Sequence, residues 1–240
     1  MAVYKRYHKD DAFSYALGIT LTFELLKFRP ENARKIYISS AMKQGDTLDR
    51  LLNLCGKSGV EAVYTDKIFR VLSQKENCYV IGEFEKFSGK LDMDAPHIVL
   101  VNPSNAGNMG TIMRSALGFG LNQIAIIRPA ADAFDPKVVR ASMGAVFSTE
   151  FAYYDSFDEY SEEAGRRELY PFMLDAEKKL NDVKPKGVYS LIFGNEAAGL
   201  PESFAEVGIS VIIPHSNKID SLNLPIAASI AMYHMSVVNS

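Results

Sequence analysis

Hydrophobic residues along the chain fall into short runs separated by polar segments, which predicts strands alternating with helices. In the first 90 residues the predicted strands are "KIYIS", "VEAVYT" and "CYVIGEF", and the predicted helices are "DDAFSYALGITLTFELLKF", "TLDRLLNLCGKSG" and "DKIFRVLS". The first helix segment is ambiguous, because residues 17–25 alternate apolar with other residues as a strand would. Its length and the stop before Pro30 favour a helix.

The alternation becomes more regular after residue 96. The predicted strands there are "HIVLVN", "QIAIIRP", "LYPFMLD", "VYSLIFG" and "ISVIIP". The predicted helices are Met109 to Gly118, "DPKVVRASMGAVF" with Pro136 in its first turn, "PESFAEV" and "LPIAASIAMYHMSVV". The strands are rich in Val, Ile and Leu without alternation, which is typical of a parallel sheet covered on both faces. The last helix is apolar or small all round, which predicts a buried core helix.

A polar segment with Gly and Pro, "EKFSGKLDMDAPH", separates these two parts. A length of 240 residues fits one large domain or two modest ones. The change in pattern at this segment predicts a small α/β domain over residues 1–90 and a second α/β domain over residues 91–240.

Composition and charge narrow the class of protein. The net charge of −3 argues weakly against a strong general nucleic-acid binder. Residues 1–94 hold 15 basic and 13 acidic residues and the rest hold 11 and 16, so a polyanion should bind mainly to the N-terminal part. The two cysteines have no metal or redox spacing, and neither a signal region nor a membrane span is expected. These features predict a cytoplasmic protein with reduced thiols.

Three loops follow predicted strands and could carry chemistry, because ligands of parallel sheets bind beyond the carboxyl ends of the strands. They are "NPSNAGNMGTIMR" (102–114), "FGNEAAGLP" (193–201) and "IPHSNKIDSLNL" (213–224). The first lacks both the Lys-Ser/Thr pair of a P-loop and the G-x-G-x-x-G spacing of a dinucleotide site, so phosphate cradling is disfavoured. It does supply Arg114, and we expect part of its stem to be buried because most residues around it are apolar.

The second and third loops each allow a plain structural interpretation. Glycines on either side of Glu196 permit a close backbone approach to a ligand, or form a tight turn with a solvent-facing carboxylate. Ser221 and Asn223 offer uncharged hydrogen-bonding groups, but Ser221 could equally cap the following helix. The four histidines form no ligand-like cluster, so no metal is expected.

Taken together, the three loops resemble the three motifs of the SpoU (TrmH-type) RNA ribose methyltransferases of the SPOUT class. The resemblance covers most of residues 95–240, and "PKVVRASMGAVF" resembles the family's segment between motifs one and two. Residues 1–90 are similar, more weakly, to the small α/β substrate-binding domain often fused in front. The resemblance implies a parallel-sheet SPOUT domain with a deep trefoil knot, preceded by a small α/β substrate-binding domain.

The resemblance also implies S-adenosylmethionine as cofactor, RNA as substrate and a homodimer, formed through the C-terminal domain, in which two subunits build each site. Carried over by position, the family's functional residues are Asn108, Arg114, Glu196, Ser221 and Asn223, and its cofactor-binding backbone positions are Gly194, Ile213 and Leu222. The spacing of six before Arg114 selects Asn108 rather than Asn105. Two departures are Asn217, where the family usually has Gly, and His215, where it usually has Met.

The implied reaction is methyl transfer to a ribose 2′-hydroxyl. Arg114 is the residue that the family likeness assigns to activating the hydroxyl. Because an unperturbed guanidinium stays protonated, Arg114 would anchor the target phosphate and polarise the hydroxyl, and would act as a base only if its environment perturbed it strongly. Asn108 and Asn223 would orient the ribose, Ser221 would hydrogen-bond nearby, and Glu196 would order its loop. A non-catalytic RNA-binding module and a nucleotide-dependent oxidoreductase are the alternatives. The RNA is not identified by the sequence, although the front domain favours ribosomal over transfer RNA.

Overall fold

A computed structural model of the chain describes residues 4–72 and 77–238. It divides into two compact units: unit 1 holds Met1–Phe87 and Asp132–Ser148, and unit 2 holds Ser88–Ala131 and Thr149–Ser240. This division differs from two continuous domains, because the segment Asp132–Ser148 packs with unit 1. The predicted helix "DKIFRVLS" ends at Ser73, which lies outside the described residues.

Unit 1 contains a four-stranded mixed sheet with helices. Its elements are β1 (Phe13–Leu17), α1 (Ile19–Phe28), a 3₁₀ turn (Pro30–Asn32), β2 (Ala33–Ile38), α2 (Asp46–Ser58), β3 (Glu61–Tyr64), α3 (Lys67–Leu72) and β4 (Val80–Glu85). The strand order is β1-β4-β2-β3. Strand β4 runs antiparallel to β1 and β2, whereas β2 and β3 are parallel.

The prediction of one helix in the segment that precedes Pro30 is wrong for its first part. Phe13–Leu17 forms the edge strand β1, which pairs with β4 from Phe13 to Leu17. Gly18 then takes a φ of 120°, a value that favours glycine, and α1 begins at the next residue. The backbone pairing with a strand more than 60 residues away outweighs the local helical signal.

The segment Asp132–Ser148 adds a short helix, α5 (Pro136–Ala141), to unit 1. Asp135 caps α5 by accepting a hydrogen bond from the backbone N–H of Lys137, and Pro136 opens it as predicted. The predicted helix was longer, but Met143 and Gly144 take positive φ values of 52° and 87° and end it. A side chain at Gly144 would lie 2.7 Å from Cβ of Glu24 in α1, so this contact requires glycine.

Unit 2 is built on a parallel sheet, as the strand composition predicted. In chain order its elements are β5 (His97–Val101), α4 (Ala106–Gly118), β6 (Gln123–Ile127), β7 (Glu150–Tyr154), α6 (Phe157–Ala164), β8 (Glu168–Pro171), β9 (Lys178–Lys179), β10 (Tyr189–Phe193), β11 (Val211–Ile212) and α7 (Leu224–Val238). The five-stranded sheet has the order β7-β6-β5-β10-β8, and every pair in it is parallel. Strands β9 and β11 form a separate two-stranded parallel sheet.

The sequence patterns did not predict β7, α6 or β9. The segment "PESFAEV" forms a 3₁₀ helix over Glu202–Glu206, and the strand in "ISVIIP" is only two residues long. Strand β7 lies at the edge of the sheet, so its burial is interrupted and its apolar signal is weak. The short strands β9 and β11 are defined by their pairing with each other, which no local pattern reveals.

Helix α7 is buried on one face only, which differs from the predicted core helix. Its buried residues are Pro225, Ala228, Ala231, Met232 and Met235. Its other face leaves a stripe of exposed apolar side chains: Ile226, Ile230, Tyr233 and Val237. No helix in the described ranges 4–72 and 77–238 is long and apolar enough to span a membrane.

A buried polar network lies at the amino-terminal ends of β5 and β10. His97 in β5 contacts the Tyr160 hydroxyl through Nδ1 at 3.0 Å and the Asp92 carbonyl through Nε2 at 2.9 Å. The Tyr160 hydroxyl meets Ser190 Oγ at 2.6 Å, and Ser190 accepts a hydrogen bond from Arg167. Burial lowers the pKa of His97 to about 4, so the ring is neutral at physiological pH.

Candidate active site

The first two candidate loops leave the same edge of the sheet of unit 2. Residue 102 follows β5 directly and residue 194 follows β10, and these two strands are neighbours. Because both strands are parallel, their carboxyl ends lie side by side and the loops that follow them meet. The third loop follows β11, whose neighbour is β9.

A single carboxylate joins the first two loops. Glu196 accepts hydrogen bonds through Oε2 from the backbone N–H of Ser104 at 3.1 Å and from its hydroxyl at 2.9 Å. Through Oε1 it accepts from the backbone N–H of Asn105 at 3.0 Å and from Nδ2 of Asn108 at 3.4 Å. Glu196 therefore closes the start of the first loop onto the second, and it is not the solvent-facing turn residue of the plain structural interpretation.

The hydrogen bonds to Glu196 set its charge state. Partial burial alone would raise the pKa of this carboxyl, since desolvation disfavours the charged form. The backbone N–H of Glu196 itself, those of Ser104 and Asn105, and the Ser104 hydroxyl outweigh that effect, and the net pKa lies below the ordinary glutamate value. Glu196 is thus a stable anion that accepts hydrogen bonds, a state that suits a structural clamp better than a proton acceptor.

The neighbouring side chain, Asn195, strengthens the same junction. Its Nδ2 donates to the carbonyl of Asn102 at 2.8 Å, and its Oδ1 accepts from the backbone N–H of Ala197 at 2.9 Å. Asn102 itself takes a positive φ of 52° and donates from Nδ2 to the carbonyl of Arg128 at 2.7 Å. Asparagine tolerates this left-handed conformation. The hydrogen bonds of Asn102 and Asn195 together fix the path of the backbone where the first loop begins.

Gly194 is required by the second loop itself. Asn195 and Gly199 exchange backbone hydrogen bonds of 3.1 and 2.9 Å, which folds the loop back on itself. A Cβ at Gly194 would lie 2.2 Å from the carbonyl carbon of Gly199. The close approach that the sequence suggested for these glycines is thus made within the loop.

Helix α4 begins at Ala106, three residues earlier than predicted. Asn105 is its cap, since its Oδ1 accepts a 3.0 Å hydrogen bond from the backbone N–H of Asn108. Asn105 and Asn108 therefore have different tasks: the former caps the helix and the latter reaches Glu196. An Asn immediately before a helical segment is a capping signal, so Asn105 could have located this start.

Arg114 and Asn108 do not share a face of α4. Six residues turn an α-helix by about 600°, which leaves their side chains about 120° apart around the axis. Arg114 is exposed as a whole residue. Within the described part of the chain, no hydrogen bond or ion pair involves its guanidinium, so the cation is available to an external ligand.

A pocket of about 380 Å³ opens between the second and third loops, and we call it the main pocket. Its walls combine the ends of β8, β10 and β11 with the start of α7. Five of the predicted site residues line it: Gly194, Glu196, Ile213, Ser221 and Leu222. The lining includes the carboxylates of Asp175 and Glu196 and, among the described residues, no lysine or arginine.

The third loop brings His215 into the same pocket. Its Nδ1 lies 2.8 Å from the carbonyl oxygen of Ile213, so this nitrogen carries the proton and donates. Asn223 immediately precedes α7, and its carbonyl accepts hydrogen bonds from the backbone N–H groups of Ile226 and Ala227. Ser221 is exposed at the pocket wall, three residues before Leu224, where α7 begins.

The structure thus brings together most, but not all, of the predicted residues. Asn108 meets Glu196, and Glu196 shares the main pocket with four others; Arg114 and Asn223 are absent from its lining. Sequence reasoning missed Ser104, whose backbone and hydroxyl both hold Glu196. Its partner lies 92 residues away in the chain, so only the fold reveals the pair.

Comparison with known proteins gives relatives of the same kind. Residues 95–233 match the model of the SpoU rRNA Methylase family. The chain is 31% identical over 153 residues to ribosomal RNA small subunit methyltransferase G 2 of Syntrophobacter fumaroxidans, a match that covers 64% of this chain and 30% of that protein. It is 29% identical over 157 residues to the tRNA (cytidine/uridine/adenosine-2′-O-)-methyltransferase TrmJ of Pseudomonas aeruginosa, which covers 60% of this chain and 61% of the relative.

A solved structure shares the fold. The SpoU methyltransferase AviRb from Streptomyces viridochromogenes, in complex with the cofactor AdoMet, superposes with a TM-score of 0.82 at 22% identity, over 95% of this chain and 91% of that one. At this identity the likeness establishes the fold alone. Because the family model matches more than half of the residues, this chain belongs to the SpoU rRNA methylase family.

Proposed function

We propose that this protein transfers a methyl group from S-adenosylmethionine to the 2′-hydroxyl of a ribose in RNA. The observation that carries the proposal is the junction of Glu196 with Ser104, Asn105 and Asn108 beside the main pocket. It joins motifs one and two of the family through specific hydrogen bonds. Bound S-adenosylmethionine would supply an electrophilic methyl group on a sulfonium.

The chemistry of the main pocket fits this cofactor. A volume of about 380 Å³ lies in the range of small-molecule sites. S-adenosylmethionine carries a positive sulfonium and an ammonium group, and carboxylates such as Asp175 and Glu196 favour nearby cations. The backbone at Gly194, Ile213 and Leu222 would hold the adenosine part.

The same lining disfavours the oxidoreductase alternative. A nicotinamide dinucleotide carries an anionic pyrophosphate, which two carboxylates without a basic partner would repel. In the glycine-rich first loop, the backbone N–H groups of Ser104 and Asn105 already donate to Glu196, so they do not offer hydrogen bonds to a phosphate. A titration with NAD would detect binding if this reasoning were wrong.

Arg114 is the residue we propose for the RNA. Its exposed guanidinium would hold the target phosphate and polarise the 2′-hydroxyl, whose proton would pass to solvent water during the transfer. Asn223 and Ser221 would orient the ribose at the mouth of the main pocket. Since Arg114 does not line the main pocket of its own chain, we propose that it completes the site of a second subunit.

Helix α7 supports a homodimer. Its exposed stripe of Ile226, Ile230, Tyr233 and Val237 continues onto Phe119, whose ring lies 6.1 Å from that of Tyr233. Contiguous exposed apolar side chains of this kind mark protein interaction surfaces. We propose that two copies of this chain pack through this stripe.

A trefoil knot in unit 2 is a further part of the proposal. Helix α7 returns to α4, where Ser229 Oγ lies 2.9 Å from Ser115 Oγ, and to the segment before β10, where His234 contacts the Val183 carbonyl. Pulling on both ends of the unfolded chain tests for the knot. A tightened knot retains some residues, so the extended length should be shorter than that of an unknotted chain of 240 residues.

Unit 1 is proposed to bind the RNA substrate, in line with its 16 basic against 13 acidic residues. Relatives act on ribosomal RNA and on transfer RNA, and ribosomal RNA is our choice. Two measurements test the function: calorimetry with S-adenosylhomocysteine, and transfer of labelled methyl groups to RNA from cells that lack the gene. Arg114→Ala should abolish transfer while calorimetric affinity persists, and Arg166→Ala is the matched control because Arg166 is exposed on the same unit.

Near-normal transfer by Arg114→Ala would contradict its role. Cofactor binding without any transfer to RNA by the wild-type protein would favour the alternative, a non-catalytic RNA-binding module. In that case the intact positions Asn108, Arg114, Ser221 and Asn223 would need another explanation, since they are the residues that the reaction requires.

A further inference from the structure

A second cavity of about 310 Å³ adjoins the main pocket. We call it the side cavity; it is lined by Leu174, Lys179, Ile212, Pro214, His215, Asn217, Ile219 and Asp220. Leu174, Ile212 and His215 belong to the walls of both cavities. A ligand in the side cavity would therefore lie directly beside whatever fills the main pocket.

The walls of the side cavity include exposed apolar side chains. Leu174 is 61% exposed and Ile219 is 49% exposed, which makes them two of the most exposed large hydrophobic side chains in the described chain. Pro214 adds a third apolar wall and is also exposed. Exposed apolar groups around a cavity indicate a binding surface, and flat apolar ligands such as nucleobases fit between such groups.

Lys179 supplies a cation to the same cavity. Within residues 4–72 and 77–238 its ammonium takes part in no ion pair or hydrogen bond, and its side chain is exposed. It lies on β9, paired in register with Ile212 of β11, and so directly beside the strand that leads into the third loop. The ammonium of Lys179 could therefore form an ion pair with a phosphate group of a bound nucleotide.

Two polar groups in the cavity could read the edge of a base. The Nδ1–H of His215 is committed to the Ile213 carbonyl, and when Nδ1 carries the only ring proton Nε2 is an acceptor. The carboxylate of Asp220 is also an acceptor, and it would repel phosphate while accepting hydrogen bonds from amino or imino groups of a base. The cavity thus combines one cation, apolar walls and acceptor groups.

We propose that the side cavity binds a nucleotide of the RNA substrate adjacent to the methylated one, with its base between Leu174 and Ile219 and its phosphate on Lys179. This rests on the proposed function, because only an RNA methyltransferase would present such a nucleotide next to the cofactor. Unstacked bases of single-stranded RNA are typically held in this way, by contacts with their faces and hydrogen bonds to their edges. A second copy of the chain is the rival occupant, since exposed apolar side chains also suit a subunit contact.

The neighbouring lysine provides a matched control. Lys178 is exposed on the same strand, but it does not line the side cavity, and adjacent residues of a strand point to opposite faces. The probe is RNA from cells that lack the gene, with affinity measured by filter binding over a range of salt concentrations in the presence of S-adenosylhomocysteine. Lys179→Ala should weaken RNA affinity about tenfold and lower the salt slope by about one, as expected for one lost phosphate contact.

Ile219→Ser should weaken RNA affinity several-fold without changing the salt slope, because it removes an apolar contact. Both variants should bind S-adenosylhomocysteine in calorimetry as the wild type does. Equal losses in Lys179→Ala and Lys178→Ala would show a general charge effect and overturn the proposal. Dissociation of the dimer by Ile219→Ser in sedimentation would assign the cavity to a subunit contact and also overturn it.

These outcomes are separable from a failure of the proposed function. If the wild-type protein transfers no methyl group to the RNA, the proposed function is wrong, but filter binding still measures the difference between Lys179 and Lys178. If transfer occurs and neither variant changes the affinity for RNA, the function stands and the subsite is wrong.

Discussion

The carboxylate of Glu196 lies 3.0 Å from the backbone nitrogen of Asn105, the residue that caps α4. One carboxylate thus fixes both the second loop and the start of the helix that carries Asn108 and Arg114. Two further bonds from Ser104 leave the Glu196 side chain little freedom. The arrangement assigns Glu196 a positioning role in the proposed reaction.

Glu196→Gln tests that role. An amide keeps the shape of the side chain but loses the charge that strengthens these hydrogen bonds, each worth about 1.5–3 kcal/mol when one partner is ionised. We expect the affinity for S-adenosylhomocysteine to fall about tenfold in calorimetry and methyl transfer to fall further. Glu202→Gln, at an exposed glutamate of the 3₁₀ helix Glu202–Glu206, is the control. Wild-type affinity of Glu196→Gln for S-adenosylhomocysteine would contradict the positioning role of Glu196.

Gly194→Ala is expected to destroy the main pocket. The added methyl group would lie 2.2 Å from the carbonyl carbon of Gly199, so the second loop must open. We expect a loss of at least 100-fold in affinity for S-adenosylhomocysteine, measured by calorimetry. Gly187→Ala is the control, because a Cβ there would meet nothing within 4 Å. If the two variants bind alike, the loop adapts and the pocket does not depend on this contact.

The buried His97 predicts a dependence of stability on pH. Its pKa falls from 6.5 to about 4 on folding because burial disfavours the charged ring. The unfolded chain therefore binds a proton first as the pH falls below 6.5, and the free energy of unfolding decreases until about pH 4. The loss should reach about 3 kcal/mol at most, from a shift of roughly 2.5 units.

Denaturant unfolding between pH 7 and pH 4 measures this dependence. His97→Gln removes the titrating group, so its stability should fall less steeply over that interval than that of the wild type. Parallel slopes for the wild type and His97→Gln would show that His97 does not titrate as described.

The exposed stripe of α7 predicts the oligomeric state. A charge at Val237, which is 54% exposed, should cost little in the folded monomer but oppose an apolar contact between copies. We expect Val237→Glu to be monomeric in analytical ultracentrifugation where the wild type is dimeric. Tyr64→Glu, on β3 of unit 1 and 56% exposed, is the control for a surface charge. A wild-type monomer would refute the proposed dimer.

Much of the fold follows from local patterns. The parallel sheet of unit 2 was predicted because the segments of β5 and β6 are rich in Val, Ile and Leu without alternation. Strand β1 was not predicted, because its segment is a strand only through its pairing with β4. The division into units also escaped prediction, since nothing in the segment Asp132–Ser148 itself states that it packs with unit 1.

The candidate site shows the same limit more sharply. Motif spacing selected Asn108 over Asn105, and that choice stays a prediction; in the structure Asn105 caps α4 and Asn108 reaches Glu196. The contacts of Glu196 join residues 88 to 92 positions apart, so no local pattern contains them. The exposure of Arg114 likewise depends on which face of α4 packs on the sheet and on α7.

Mapping 2′-O-methylated nucleotides in RNA from cells with and without the gene tests the central claim most directly. A 2′-O-methyl group protects the adjacent phosphodiester from alkaline cleavage, so each modified position can be read from the cleavage pattern. We predict one or a few ribose-methylated positions that disappear without the gene and return with the wild-type gene but not with Arg114→Ala. Identical patterns with and without the gene, or the loss of a base methylation instead, would contradict the proposed reaction.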